Sequence, residues 1–387
     1  MISKEIKILS FSFFIIFFAY NGVQQFLTSY FSEQNAIRIG FWSLILIYSS
    51  LLITNFFSGF IVSKFGVKKC LIFGSVFYSL FIFSIISHNL FLIYLASVLL
   101  GFGASILWTA QGTFLVRSCN SSEYGKNSGF FSTFFQLGSV FGIMVVSLLI
   151  TRLSFDYSFL LIAVFPLIST VLFTTLKNTE SQTVDLKEKF NAFKRMLTNT
   201  YALRFALIWL SFSFVLASVV GQIPLEIKKY FNLSLFLGLI SSIFYFLPIA
   251  FSYYFGKKSD IRGRGGFLIL SHVLVALGFG LFVLQANYGL NKWFFILCFL
   301  MISFGYAIFA SIRFAFLGDA ASRENLEYLT ALTLLFGNVG YVIVFLMNIY
   351  LPPVFSYLLS FAVVFLSLII TLPILRLNIG TLKEKVK

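Results

Sequence analysis

Runs of roughly 20 apolar residues recur twelve times along this 387-residue chain, and that repetition limits its fold more than any other feature. A helix needs about 20 residues to cross some 30 Å of hydrocarbon. Inside the bilayer, backbone polar groups must also find their partners within the segment or a closed barrel. The runs lie at 8–30, 41–63, 69–87, 90–116, 127–150, 157–176, 203–226, 234–255, 267–286, 293–317, 328–350 and 355–375. Each predicts a transmembrane helix. The weakest separation is between the second and third, where the marker is the short basic turn from Ser63 to Lys69. A soluble domain carries about 25% charged residues; here the figure is 11%, with a mean hydropathy of +0.96. So much apolar surface cannot be hidden in water, which makes the lipid bilayer the first expected partner.

The distribution of charge supplies the topology. With twelve spans both termini lie on one side, and Lys and Arg mark the cytosolic face. Of the 28 basic residues, 23 fall in the tails, loops and span ends on the side of the termini and 5 on the other. The expectation is that both termini are cytosolic. The net charge of +15 is therefore a topology signal at helix ends, and no nucleic-acid partner is expected. The N-terminal stretch has two lysines, an apolar run and no small-residue cleavage site after it, so it reads as an uncleaved first span.

The longest polar segment, 177–200, divides the chain into an N-terminal six-helix bundle (1–176), a cytosolic linker (177–200) and a C-terminal six-helix bundle (201–387). The halves resemble each other. Gly59 through Gly66 after the second span matches Gly256 through Gly263 after the eighth, at an offset of 197. The stretch 102–115 matches 304–317 at an offset of 202, which also brings Gln136 onto Asn338 and Gly138 onto Gly340. Three matches in order point to duplication into parallel repeats.

On these residues the chain resembles the major facilitator superfamily. Gly256-x-x-x-Asp260-x-Arg262-Gly263-Arg264 looks like the cytosolic loop signature of those transporters, in the position of its second copy. The resemblance implies an all-α integral membrane fold of twelve transmembrane helices in two pseudo-symmetric six-helix bundles. It also implies that Asp260, Arg262 and Arg264 tie helix ends together in one of two alternating states. The first copy keeps Gly59, Lys64 and Gly66 but has Ser63 where the acid is expected. A narrower resemblance covers about 37–146, chiefly Gly101-x-Gly103-Ala-x-x-x-Trp108-Thr-x-Gln111-Gly112, then Asn127-Ser-Gly129 and Phe135-Gln136. These residues look like the uncoordinated-type (Unc ninety-three-like) branch. Members of that branch are implied to be solute transporters, channel regulatory subunits or trafficking chaperones of membrane receptors.

Polar side chains inside a bilayer are costly and face the protein interior or a wet cavity. Within the spans they are Asn21, Gln24, Gln25, Asn55, Gln111, Gln136, Gln222, Arg313 and Asn338, with His272 and Gln285 near the ends of the ninth. The candidate solute-cavity residues are Asn21, Gln24, Gln25, Trp108, Gln111, Gln136, Arg313 and Asn338. Each has a structural alternative. Asn21 with Gln24 or Gln25 shares one helix face and either binds a polar solute or bonds to a neighbouring helix. Trp108 either stacks on a ligand or packs. Arg313, about one turn from the end of the tenth span, either contacts an anion at the cavity mouth or snorkels to the interface, with Asp319 and Asp260 as structural partners. Gly138-x-x-x-Gly142 predicts close helix packing. Pro224 and Pro248 predict kinks.

No acid or lysine lies near the middle of any span, which argues against direct proton coupling. Cys70, Cys119 and Cys298 are far apart and form neither a disulfide framework nor a metal site. No phosphate-binding loop, metal cluster or nucleophile–base pair is visible, so neither cofactor, metal nor enzyme activity is expected. Two functions remain. One is transport of an unknown small solute by alternating access. The other is a non-transporting role as regulatory or trafficking partner of another membrane protein, such as a channel or receptor.

Overall fold

The computed structural model describes residues 2–118, 124–177, 194–231, 234–320 and 326–377. Most of the 177–200 linker therefore lies outside the described residues. Among those described, the secondary structure is helical throughout, with twelve spans: Lys4–Glu33, Ile37–Phe65, Val67–Ile86, Leu90–Arg117, Tyr124–Arg152, Phe155–Thr174, Thr200–Phe231, Ser234–Arg262, Arg264–Tyr288, Lys292–Ala320, Leu326–Tyr350 and Pro353–Leu375. All twelve expected spans are present. Several helices run past the apolar stretches, as at Ile37–Phe65 against the expected 41–63. Hydropathy sees only the hydrocarbon-facing part, whereas the backbone ladder continues into the interfacial turns.

Local sequence explains the helix ends. Asn199 Oδ1 accepts from the backbone N–H groups of Tyr201 and Ala202 at 2.9 and 3.0 Å, starting the seventh span. Ser154 and Asn89 cap the sixth and fourth spans in the same way, each satisfying an otherwise orphaned donor. At the junction of the second and third spans Gly66 has φ 86° and ψ 148°; between the eighth and ninth, Gly263 has φ 82° and ψ 148°. A side chain is strongly disfavoured there. The repeat therefore extends to backbone dihedrals.

The same duplication appears in helix breaks. The first span is Lys4–Gln24 followed by Leu27–Glu33; the seventh is Thr200–Val220 followed by Ile223–Phe231. Pro224 stands in the first turn after the second break, where its missing N–H costs nothing, so the expected kink is an interruption.

The helices gather into two compact units: Met1–Val184 with Ile223–Tyr245, and Asp185–Gln222 with Phe246–Lys387. In the first, the fifth span crosses the first so closely that a Cβ on Gly138 or Gly142 would collide with the carbonyl of Phe14 or Phe18. In the second, Gly340 of the eleventh span is pressed in the same way against Leu210 and Ser213 of the seventh. Gly138 against Phe14 and Gly340 against Leu210 are repeat-equivalent contacts. Van der Waals packing of small residues thus does here what apolar burial cannot do between helices already in lipid.

Candidate functional site

Four mid-span tyrosines and one glutamine form a polar cluster within the first unit. Gln24 donates from Nε2 to the Tyr20 hydroxyl at 2.9 Å and to the Tyr48 hydroxyl at 3.2 Å. The Tyr20 and Tyr78 rings meet edge to face at 5.0 Å. Tyr78 and Trp108 both pack on the Phe17 ring, with centroids at 5.8 and 5.3 Å. Tyr245 also lies close enough to Tyr20 to interact with it electrostatically. The cluster draws on the first, second, third, fourth and eighth spans in a bundle otherwise filled with phenylalanine. One turn before Gln24, Asn21 donates from Nδ2 to Ser139 Oγ of the fifth span at 2.7 Å. Asn21 therefore serves interhelical bonding, while Gln24 presents an amide among phenols.

Trp108 is enclosed by rings. Phe13 and Phe17 lie at 5.3 Å and Phe135 at 5.4 Å, mostly edge-on. That arrangement supports the packing reading of Trp108, which is half-buried. Gln25 and Gln111 are buried and Gln136 is half-buried. In the second unit, Asn338 is buried with its amide nitrogen unpartnered. Arg313 is half-buried, with its guanidinium carbon 4.6 Å from the centre of the Phe314 ring.

The two copies of the loop signature differ. In the second copy Arg264 is a three-way clasp. Its Nη1 donates to Asp260 Oδ1 at 2.7 Å and to Ser259 Oγ at 3.3 Å; its Nε makes a short bond to Asp319 Oδ2. The ends of the eighth, ninth and tenth spans are thereby tied. Asp260 and Asp319, expected as partners of Arg313, are both engaged by Arg264. Arg262 is exposed, and Gly256 has open space around it. In the first copy, Gly59 is likewise unconstrained and Lys64 lies over the rings of Phe60 and Phe65 at 5.8 and 5.6 Å. Ser63 Oγ turns back to the Phe60 carbonyl, so this copy carries no carboxylate for an equivalent clasp.

Residues 9–345 match the Major Facilitator Superfamily. The chain belongs to that superfamily. Solved major facilitator structures agree in fold. A peptide transporter of the POT family in complex with sulfate superposes with a TM-score of 0.80 at 12% identity, covering 98% of this chain and 95% of that one. A POT family transporter in complex with 5-aminolevulinic acid gives 0.75 at 14%, covering 99% and 96%. Curated relatives are UNC93-like. Bovine protein unc-93 homolog A is 31% identical over 156 residues, 38% of this chain and 34% of the relative. UNC93-like protein 3 of Arabidopsis thaliana is 30% identical over 129 residues, 33% and 27%. UNC93-like protein MFSD11 of Xenopus tropicalis is 29% identical over 186 residues, 46% and 42%. The chain thus spans well under half the length of the curated relatives it matches.

Two features of this major facilitator chain escape a census of amides, Arg and His. One is the tyrosine cluster. Tyrosines in a membrane protein gather at the interfaces, so Tyr20, Tyr48, Tyr78 and Tyr245 well inside spans were the available signal. The other is a set of ties at the end of the first unit remote from the Gly66 turn. Tyr30 donates to Asp156 Oδ1 at 2.7 Å, His88 Nε2 lies 3.2 Å from Asp156 Oδ2, and Lys228 bonds Glu33 at 2.7 Å. These residues sit in separate loops and span ends, and sequence spacing does not connect them.

Proposed function

We propose that this protein carries a small solute across a membrane by alternating access. The observation that carries the reading is the Tyr20–Gln24–Tyr48 cluster. Hydrogen-bonding groups deep in a bundle are retained where they recognise something polar, and here Gln24 keeps its carbonyl oxygen available while its nitrogen serves two phenols. The solute then offers donors to that amide and an apolar body to the surrounding rings. Buried Asn338 and half-buried Gln136, at repeat-related positions, contribute polar contacts in their respective units. Only a site that binds differently in two states moves an equilibrium.

The test is uptake by the purified protein in sealed proteoliposomes, screening amino acids, short peptides, sugars and organic acids. Gln24→Leu and the Gln136→Leu/Asn338→Leu pair remove polar groups while roughly keeping volume. Each is expected to lower uptake at least ~10-fold, the scale of losing one or two well-made polar contacts, with insertion unchanged. Full uptake in the double variant discards those two positions. A wild type that moves none of the solutes but co-purifies stoichiometrically with another membrane protein makes the chain a regulatory partner instead.

A further inference from the structure

Arg313 belongs to the tenth span, Lys292–Ala320, seven residues from its end and seven from Tyr306 at its midpoint. A snorkelling arginine would run toward the nearer helix end. Arg313 instead interacts with Tyr306, whose position on the helix is two turns, or about 10 Å, deeper. The nearer helix end holds Asp319, which would be the natural counter-ion, but Arg264 engages it through two nitrogens. Among the described residues Arg313 takes part in no ion pair, and its Nε is buried without a hydrogen-bond partner. Phe314 lies against the guanidinium at 4.6 Å.

A fixed positive charge directed into a membrane protein needs a counter-charge, because desolvating an unpaired cation is costly. With an aromatic ring lying against it, the guanidinium offers its edge. That edge is a fork of N–H donors matched to two oxygens of one anionic group. In the same unit the amide nitrogen of Asn338 is a second buried donor without a partner. Both of these groups are donors, and each calls for an acceptor on the ligand.

We propose that Arg313 binds the oxyanion of the transported solute, which is therefore a small organic acid or phosphate ester rather than a sugar or a cation. This rests on the transport reading above and names its substrate class. Tyr306 is a positioning residue that holds the guanidinium toward the middle of the span.

The experiment uses the full chain in nanodiscs of zwitterionic lipid at constant ionic strength, reading the thermal midpoint against added sodium phenylacetate, sodium phosphate or the neutral phenylacetamide. Saturable stabilisation by an oxyanion, none by the amide, and affinity at least ~10-fold weaker in Arg313→Gln are expected, the scale of a lost charge-assisted bond. Arg313→Lys keeps the charge without the fork and should fall between. Should Arg313→Gln not fold, Arg313→Lys and Tyr306→Phe carry the test, each with weakened oxyanion binding. Oxyanion stabilisation unchanged in these variants, or absent from the wild type, overturns the proposal. Stabilisation only by phosphatidylglycerol in the disc also overturns it, by assigning the site to a lipid headgroup. Uptake separates this claim from the transport reading. A neutral solute carried at the wild-type rate by Arg313→Gln leaves transport standing and removes the oxyanion site. Arg313-dependent binding without uptake of any solute does the reverse.

Discussion

At the scale of single residues, the sharpest constraint is space. Gly142 gives the first span no room, because its absent Cβ would sit against the Phe18 carbonyl. Gly112, also helical, has nothing within reach. Gly142→Ala is expected to destabilise the protein by about 1–3 kcal/mol, the range for overpacking a rigid contact. Gly112→Ala should be neutral or gain up to about 1 kcal/mol from helix propensity. Thermal unfolding of the two variants in one detergent checks the contrast; equal midpoints would mean the fifth span shifts freely. His272 makes a related point about position. Near one end of its span in sequence, it is fully buried, with Nδ1 2.8 Å from the Leu268 carbonyl and Nε2 3.3 Å from Ser211 Oγ. Nδ1 donates to the carbonyl, while the Ser211 hydroxyl, 2.8 Å from the Ile208 carbonyl, is shared between that carbonyl and Nε2. Its place in the packing of the seventh and ninth spans was hidden because distance from a helix end says nothing about which face the ring occupies.

At the scale of elements, the two loop signatures share a backbone and differ in chemistry. Gly66 and Gly263 adopt nearly the same dihedrals, and the sequence shows why, since glycine recurs at an offset of 197. The clasp was only half legible. Asp260 and Arg264 are four residues apart, and their pairing could be read from spacing; Asp319 is 55 residues from Arg264, and only the tertiary fold brings it there. The two acids should contribute unequally. The Asp260 side chain is 65% exposed and that of Asp319 is 18% exposed, both against an Arg264 side chain at 15%. An exposed pair is worth about 0.2–1 kcal/mol, whereas breaking a more buried pair leaves a charge in poor solvent. Asp319→Asn should therefore lower the unfolding midpoint more than Asp260→Asn. If the clasp also biases one of two alternating states, Asp319→Asn will shift the reactivity of cysteines placed along the spans toward water-soluble maleimides. Identical labelling would reduce the clasp to a stabilising contact. The tyrosine cluster was illegible for another reason. A phenol reads as apolar in a hydropathy run, and its hydroxyl acquires meaning only when Gln24 stands within hydrogen-bonding distance of it, 2.9 Å at Tyr20.

At the scale of the whole molecule, the twelve spans and the duplication were open to reading because lipid removes alternatives. Every crossing must be a helix of a certain length, and the hydropathy record alone locates it. What the bilayer does not dictate is which polar residues meet, so the span list was readable from sequence while the members of the candidate site were not. Orientation rests on a separate physical argument. Basic residues are held back on the cytosolic side during insertion, and 23 of 28 lie on the side of the termini. An even number of spans then requires Met1 and Lys387 to share a compartment. Epitope tags fused at both ends should resist protease added to intact cells and become cleavable only after permeabilisation. The two tags test the argument jointly. One protected and one cleaved would mean an odd number of crossings, and so a span that fails to cross. Both cleaved would keep twelve crossings and reverse the orientation, leaving the charge asymmetry without its physical cause.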